Sequence, residues 1–336
     1  MTKMKTGAIK ASRNEEVGSR NEKTKLPNSA FRIPHSALIG TLALEAMLVE
    51  VSVTPKPGLV DRNNSGAHSD MSFFTFLKSA AALRDSFEEF ARAGENFRGD
   101  DVRELFPIIR KIGIEAEKKM FTATDGINTH KGEIFSLGLL SAAASLTASR
   151  NEEVGSRNEN NLLTPNSSFL TPHCISQTAA KICAGICEKD FAGVHEKDKK
   201  FLTKGERVFI EHGITGIRGE AESGYPVVIK TALPALKKYL SQGFNINDAL
   251  AFTLIHIMAE ANDTNIISRK DFKTAEKVRK RAADLIFENK LTLEEIYKFD
   301  NDLISEYISP GGAGDLLAVT YFLFSLQESA RNQEPA

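Results

Sequence analysis

The sequence predicts an all-α protein, a single large helical domain whose polar, glycine-rich loops converge on one site. Apolar residues recur at three-to-four spacing, as in Val102, Leu105, Ile108, Ile109 and Ile112. Neither a series of alternating β-branched runs nor a strand–helix–strand rhythm is present. The segments joining the helical stretches carry dense sets of acids, bases, amides and glycines, and such loops on a rigid scaffold are where binding groups concentrate.

The elements follow in order. Ala37–Val51 is rich in Leu, Ala and Met, and Met71–Ala93 carries Phe73, Phe74, Phe76, Leu77 and Leu83 before turning acidic. Asp101–Lys119 holds the spaced apolar series above, and Glu133–Thr147 and Ser176–Cys187 follow. Lys199–His212, Val227–Ser241 and Ile246–Met258 come next, the last opened by Asn247-Asp248. Thr274–Glu288, Thr292–Tyr307 and Asp315–Ser329 complete the set, and Thr292 with Glu295 fits a capping box.

ASRNEEVGSRNE stands at Ala11–Glu22 and again at Ala148–Glu159, each followed by a looser Pro-Asn-Ser-x-Phe-x-x-Pro-His. Two distant polar copies without apolar periodicity make no solenoid, and neither buries enough surface to offset its ordering entropy. Residues 1–36 are therefore read as a disordered extension, 37–329 as the helical domain, 148–173 as an inserted low-complexity loop, and 330–336 as a disordered tail. Loop closure costs little with added length, so the insertion is expected to be exposed and without chemistry.

Of 336 residues, 43 are Lys or Arg and 44 are Asp or Glu, a formal charge of -1. That balance gives no reason to expect nucleic acid as a partner. The sequence reading finds no membrane span and no secretory leader, so a cytoplasmic location is expected. Cys174, Cys183 and Cys187 make no disulfide framework, and their spacing suits small buried thiols better than zinc.

Glu260-Ala-Asn-Asp263-Thr-Asn265, with Arg269 beyond, follows the apolar run Ala249–Met258. Charges so close to a core are costly unless paired or holding a ligand. If the helix continues, Glu260 and Asp263 share a face and grip one divalent cation. The loop from Ser52 to Met71 offers Lys56 and Arg62 for phosphates, and Asp61, His68 and Asp70 for polar contacts. Thr122–Gly132 sets Asn128, Thr129, His130 and Lys131 before a helix start, a plausible anion cradle or a simple cap. In Gly216–Pro226, Glu220 and Glu222 point the same way if the glycine-flanked segment is extended, which suits an acid/base pair or a metal. Gly311 and Gly312 lead into Asp315 at a helix start, a nest for phosphate or metal or an ordinary helix opening.

In order, TPKPGLVDRNNSGAH, GINTHKG, RGEAESGYP, DTNIISR and SPGGAGDLLA resemble the triphosphoribosyl-dephospho-CoA synthase family over about Leu42 to Leu326, the second insertion apart. Departures are Ala313-Gly314, where the family commonly shows Ser-Ala, and Glu133, where it often has a small residue. The resemblance implies an all-helical enzyme that takes ATP, with Mg2+, and 3′-dephospho-CoA. It releases adenine and leaves the triphosphoribosyl precursor of the prosthetic group of citrate lyase or malonate decarboxylase, which a separate transferase attaches to the carrier protein. On that basis Glu220 or Glu222 is the expected base and His130 the proton donor to adenine. Asp263 and Asp315, with Glu260, are the expected metal ligands, and Asp263 also stands among the catalytic residues. Lys56, Arg62, Lys131, Arg218 and Arg269 would hold phosphates, with Asp61, His68, Asn128, Thr129, Asn265, Gly311 and Gly312 completing the substrate contacts. The rival readings are a helical Mg-dependent nucleoside triphosphate pyrophosphohydrolase using Glu260 and Asp263, and a nucleotide- or CoA-binding protein without turnover.

Overall fold

The computed structural model describes residues 35–156 and 170–331, and the first repeat copy lies outside them. Helix α1 (His35–Ser52) lies against α2 (Phe73–Glu95), and α2 in turn packs on α3 (Leu105–Ala123) and α4 (Lys131–Ser156). Glycines set these close crossings. A Cβ on Gly40 would lie 2.7 Å from the Glu88 amide nitrogen, and one on Gly94 only 2.0 Å from the Ala142 carbonyl oxygen. Asp101 caps a 3-10 turn, Val102–Glu104, so α3 itself starts later than its sequence pattern.

Helix α4 departs from the expected Glu133–Thr147. It runs on to Ser156, into the second repeat copy, whose Ala, Arg and Glu residues favour helix. Ser149 Oγ donates to the Glu95 carbonyl at 3.2 Å and Arg150 to the Gly99 carbonyl at 2.8 Å, so the start of that copy is anchored. Thr171 then caps α5 (Pro172–Ile182). The expected loop 148–173 is therefore shorter at both ends, and its stretch 157–169 lies outside the described residues.

The predicted helix Ser176–Cys187 is divided. Gly185, at φ +80°, separates α5 from α6 (Ile186–Phe191). Helix α7 (Lys204–His212) opens on a Thr203/Glu206 capping box, with a 3-10 turn before it. Helix α8 (Ile217–Glu222) occupies the segment expected to be extended. A π-helical stretch, Val228–Ala232, leads into α9 (Leu233–Ser241), followed by α10 (Ile246–Glu260) and α11 (Thr264–Arg269). Helices α12 (Phe272–Phe287), α13 (Leu293–Ser305) and α14 (Gly311–Arg331) close the order, and no strand occurs among the described residues.

Helices α1, α4, α10 and α14 form the middle of the bundle. Along α10, Ala249 to Ile255 are all buried, and α14 buries Leu316 to Thr320 without interruption. A helix apolar on every side belongs inside, whereas α12 and α13 show polar outer faces. Helix α1 is long and apolar enough to cross a membrane by length and composition, which the sequence reading did not anticipate. Half of it is buried inside the protein, against α2, α4 and α14, the environment of a core helix.

Candidate active site

The loop after α1 is held from both ends. Asp300 of α13 accepts from the Gly58 amide at 2.9 Å and from Asn64 Nδ2 at 3.3 Å. Its carboxyl is pushed up to about 6 by burial, against those two hydrogen bonds. Gly58 is required here: its φ is +71°, and a Cβ would meet the Ile308 carbonyl oxygen at 2.2 Å. Lys56 is 1% exposed and bonds Glu50 of α1 at 2.5 Å, an enclosed ion pair. His68 Nε2 meets Ser309 Oγ at 2.8 Å, tying the loop to the approach of α14. Two expectations change. Asp61 Oδ1 accepts from the Asn63 and Asn64 amides at 2.7 and 2.9 Å, so this side chain shapes the turn, and it lines neither of the two cavities described below. Arg62 is exposed and lines neither of the two cavities described below.

The segment before α4 brings Asn128, Thr129 and Lys131 together, Lys131 bonding Glu117 of α3 at 2.8 Å. His130 is fully buried, its Nδ1 2.7 Å from Ser79 Oγ and its ring edge-on to Phe76. Burial, then the nearby Lys56 charge, pushes this imidazole down to about 3. It lines neither cavity, so the expected proton donor stands behind the walls rather than on them. Gly132 and Glu133 follow in the first turn of α4. A Cβ on Gly132 would stand 1.9 Å from Asp315 Oδ2, so only glycine admits that carboxylate.

Because Ile217–Glu222 is helical, Glu220 and Glu222 splay apart. Glu222 Oε1 accepts from the Gly185 amide at 2.5 Å and Oε2 from Cys187 at 3.3 Å, so it caps α6. Burial raises its carboxyl, and these hydrogen bonds outweigh that and hold it below the usual range. Glu220 turns to the cavity, accepts weakly from the Val227 amide at 3.4 Å, and is raised by burial. Of these two glutamates, Glu220 is the one that lines the larger cavity. Arg218 pairs with Asp190 at 2.8 Å.

Glu260 and Asp263 do not share a helix face. Helix α10 ends at Glu260, which is exposed, and Asp263 is the N-cap of α11. Asp263 Oδ1 accepts from Asn265 and Ile266, and Oδ2 from Ala313 at 3.0 Å, so one carboxylate starts two helices and clamps α11 to α14. Burial still raises it, although these amides and that of Gly312 favour the charged form. The Ala313 amide is thus taken by Asp263, and that of the expected nest residue Gly312 also favours its charged form. Asn265, Arg269 and Gly311 stand beside them.

Two adjoining cavities collect these groups. The larger, about 540 Å³, takes Glu220, Arg218, Glu260, Asp263 and Gly312. The smaller, about 120 Å³, takes Lys56, His68, Thr129, Arg269 and Gly311, against apolar walls of Leu59, Val60, Met71 and Phe76. Asn128, Lys131, Gly132, Asn265 and Asp315 line both and form the boundary. Asp315 and Glu133 are each pushed well above the carboxylate range by burial first, then by neighbouring acids: Asp263 and Glu50 for Asp315, Glu50 and Asp315 for Glu133. Glu50 Oε2 and Glu133 Oε2 are buried without a hydrogen-bond partner. The sequence reading missed Glu50, Glu117 and Ser309. An acid in the apolar run Leu48-Val49-Glu50-Val51 was the one available signal.

The family model described as ATP:dephospho-CoA triphosphoribosyl transferase matches residues 36–334. A probable 2-(5''-triphosphoribosyl)-3'-dephosphocoenzyme-A synthase of Vibrio cholerae serotype O1 is 37% identical over 293 residues, covering 86% of this chain and 88% of that one. The Escherichia fergusonii protein named 2-(5''-triphosphoribosyl)-3'-dephosphocoenzyme-A synthase is 37% identical over 289 residues, 85% and 89% of the two chains. A probable synthase of the same name from Streptococcus mutans is 35% identical and is covered over 97% of its length, with 87% of this chain. No solved structure matches. The chain belongs to the CitG family of ATP:dephospho-CoA triphosphoribosyl transferases.

Proposed function

We propose that this protein transfers the 5-triphosphoribosyl group of ATP to the 2′-hydroxyl of 3′-dephospho-CoA and releases adenine. The observation that carries the reading is the pair of adjoining cavities sharing one boundary. Glu220 opens on the larger, and the enclosed Lys56–Glu50 pair on the smaller. A single displacement at C1′ needs a base behind the attacking hydroxyl and a proton source at the departing base, on opposite faces of the sugar. Leu59, Val60, Met71 and Phe76 offer apolar faces to adenine in the smaller cavity, and the larger one, about 540 Å³ against 120 Å³, has more room for the acceptor. The acceptor then lies in the larger cavity. Its 2′-hydroxyl gives its proton to Glu220 as its oxygen bonds C1′. The C1′–N9 bond breaks with its electron pair going to adenine, and the Lys56 ammonium supplies the proton that adenine needs. Arg269, on the smaller cavity, holds the triphosphate, which is not cleaved.

The donor set also fits a magnesium ion. The acids are hard oxygen donors, and two of their buried oxygens have no partner. Among the described residues no group of three His, Cys, Asp or Glu is arranged to hold a metal alone. Mg2+ would be held by one or two carboxylates, Asp315 foremost, and by the phosphates it arrives with. When bound it would neutralise triphosphate charge. The product would pass in the cytoplasm to a separate transferase that loads the carrier protein of citrate lyase or malonate decarboxylase. The test is chromatography with mass detection after incubation with ATP, Mg2+ and dephospho-CoA. Adenine and a triphosphoribosyl adduct in equal amounts are expected. Pyrophosphate without adenine would overturn the reading in favour of a hydrolase.

A further inference from the structure

A third cavity, of about 280 Å³, opens beside the larger one. The two share Glu117, Lys131, Phe135 and Arg218, so the third adjoins the larger along those side chains as a trough beside it. Its floor is apolar: Phe90, Ile109, Ile134, Leu139 and Ile186 are buried beneath it, with Phe106 at the side. Its rim is polar and ordered. Asp190 bridges Arg110 at 2.9 Å and Arg218 at 2.8 Å, and Arg218 lies over the Phe191 ring at 5.6 Å. Walls of this kind, mostly apolar with a few fixed polar groups, characterise ligand sites. None of the expected catalytic groups faces it.

We propose that this trough is the subsite for the pantetheine arm of dephospho-CoA, with the diphosphate of that substrate lying over Lys131 and Arg218. The inference rests on the proposed reaction and deepens it. An acceptor whose ribose lies at the boundary of the first two cavities must run its diphosphate and arm outward through the larger one. The two cations stand where that cavity meets the third, Lys131 paired with Glu117 and Arg218 with Asp190, and a diphosphate there would share these cations with the two acids. The arm beyond the diphosphate carries a gem-dimethyl group and then two amides separated by methylenes, which matches an aromatic and aliphatic floor beneath an ionic rim. The large cavity is thus the adenosine end of the acceptor site and the third cavity its selective end. The enzyme would tell dephospho-CoA from ADP, which carries the same adenosine diphosphate and the same 2′-hydroxyl, by this trough.

Gly113 on α3 provides the test, because a Cβ there meets nothing nearer than the Phe90 ring at 3.7 Å. Gly113→Leu fills the trough without a backbone clash and adds helix propensity. Ile114→Glu, at a half-exposed position on the trough wall, sets a like charge against the diphosphate and a polar group against the arm. The ratio of kcat/KM for dephospho-CoA to that for ADP is measured in the parent and both variants, with dephospho-CoA binding followed by calorimetry. The parent is expected to favour dephospho-CoA. The ratio is expected to fall about tenfold or more in each variant, the scale of a filled apolar pocket, with a matching loss in calorimetric affinity. A parent that uses both acceptors equally, or variants that keep the parent ratio, would overturn the pantetheine assignment while adenine release left the reaction standing. A parent that releases no adenine with either acceptor would bring down the reaction and this inference together.

Discussion

Gly132→Ala isolates the contact on which the boundary between the two cavities depends. The new methyl carbon would start 1.9 Å from Asp315 Oδ2, whereas real Cβ atoms essentially never come under 3.0 Å. The carboxylate must therefore retreat by a little over 1 Å. Gly132 lies in the first turn of α4, so alanine there is worth up to about 1 kcal/mol to the helix. The fold should hold, and the melting temperature should be unchanged or slightly raised. A 1 Å misplacement at a reacting centre costs about 100-fold, which is roughly 2.7 kcal/mol of barrier. Adenine release under saturating ATP, Mg2+ and dephospho-CoA gives kcat, and thermal unfolding gives the stability control. An Asp315→Ala background completes a cycle: if the methyl acts through Asp315, adding Gly132→Ala there costs little more. Parent-like kcat in the single variant, or an undiminished 100-fold loss in the Asp315→Ala background, would refute the reasoning.

Glu220→Gln should lower kcat by about 100- to 10,000-fold with a small change in KM, as loss of a general base does. In the parent, log kcat/KM should rise with pH through a value above the ordinary carboxylate range, because burial raises Glu220 and only its ionised form accepts the proton. Glu222→Gln should instead keep most activity and lose about 1 kcal/mol of stability in urea unfolding, since its carboxylate caps α6. That difference should shrink in acid: the folded pKa is depressed, so the contribution is present above the unfolded carboxylate pKa and is lost as pH falls through the folded value. Glu133→Gln reverses the sign. The folded protein binds this proton more tightly than the unfolded chain, so the parent loses stability as pH rises from the unfolded carboxylate pKa through the folded one, and the variant lacks that slope. Asp263→Asn turns an amide NH2 or a single oxygen toward amides that both carboxylate oxygens now serve, and should cost about 1–3 kcal/mol.

The helical class was legible because the central helices carry long apolar runs, as in α10 and α14, and the outer ones are amphipathic. The site loops were legible as dense polar segments in otherwise apolar surroundings. Individual roles were not, for a physical reason. Whether Glu220 and Glu222 converge depends on the backbone of one short segment, and two glycines, Gly216 and Gly219, argued against the helix that forms there. Likewise Glu260 and Asp263 would share a face only if α10 continued, and Asp263 ends that possibility by starting α11. Glu50 faces the site because α1 is enclosed by α2, α4 and α14, a packing fact with little local trace.

The second repeat copy shows how such a chain can keep its site. Helix α4 holds 26 residues, about 39 Å at 1.5 Å per residue. Lys131, Gly132 and Glu133 occupy its first turn, at the cavities, and the repeat begins only at Ala148, toward the opposite end. The added sequence first prolongs the helix, with Ser149 and Arg150 tied to the carbonyls of Glu95 and Gly99. The chain re-enters through a capped start at Thr171. An insertion at this end lengthens a connection without moving the residues that line the site. Its cost therefore falls on folding rather than on chemistry, and deleting residues 157–169 should leave KM for ATP unchanged while altering the yield of folded protein. A rise in KM on that deletion would mean that the segment reaches back to the cavities.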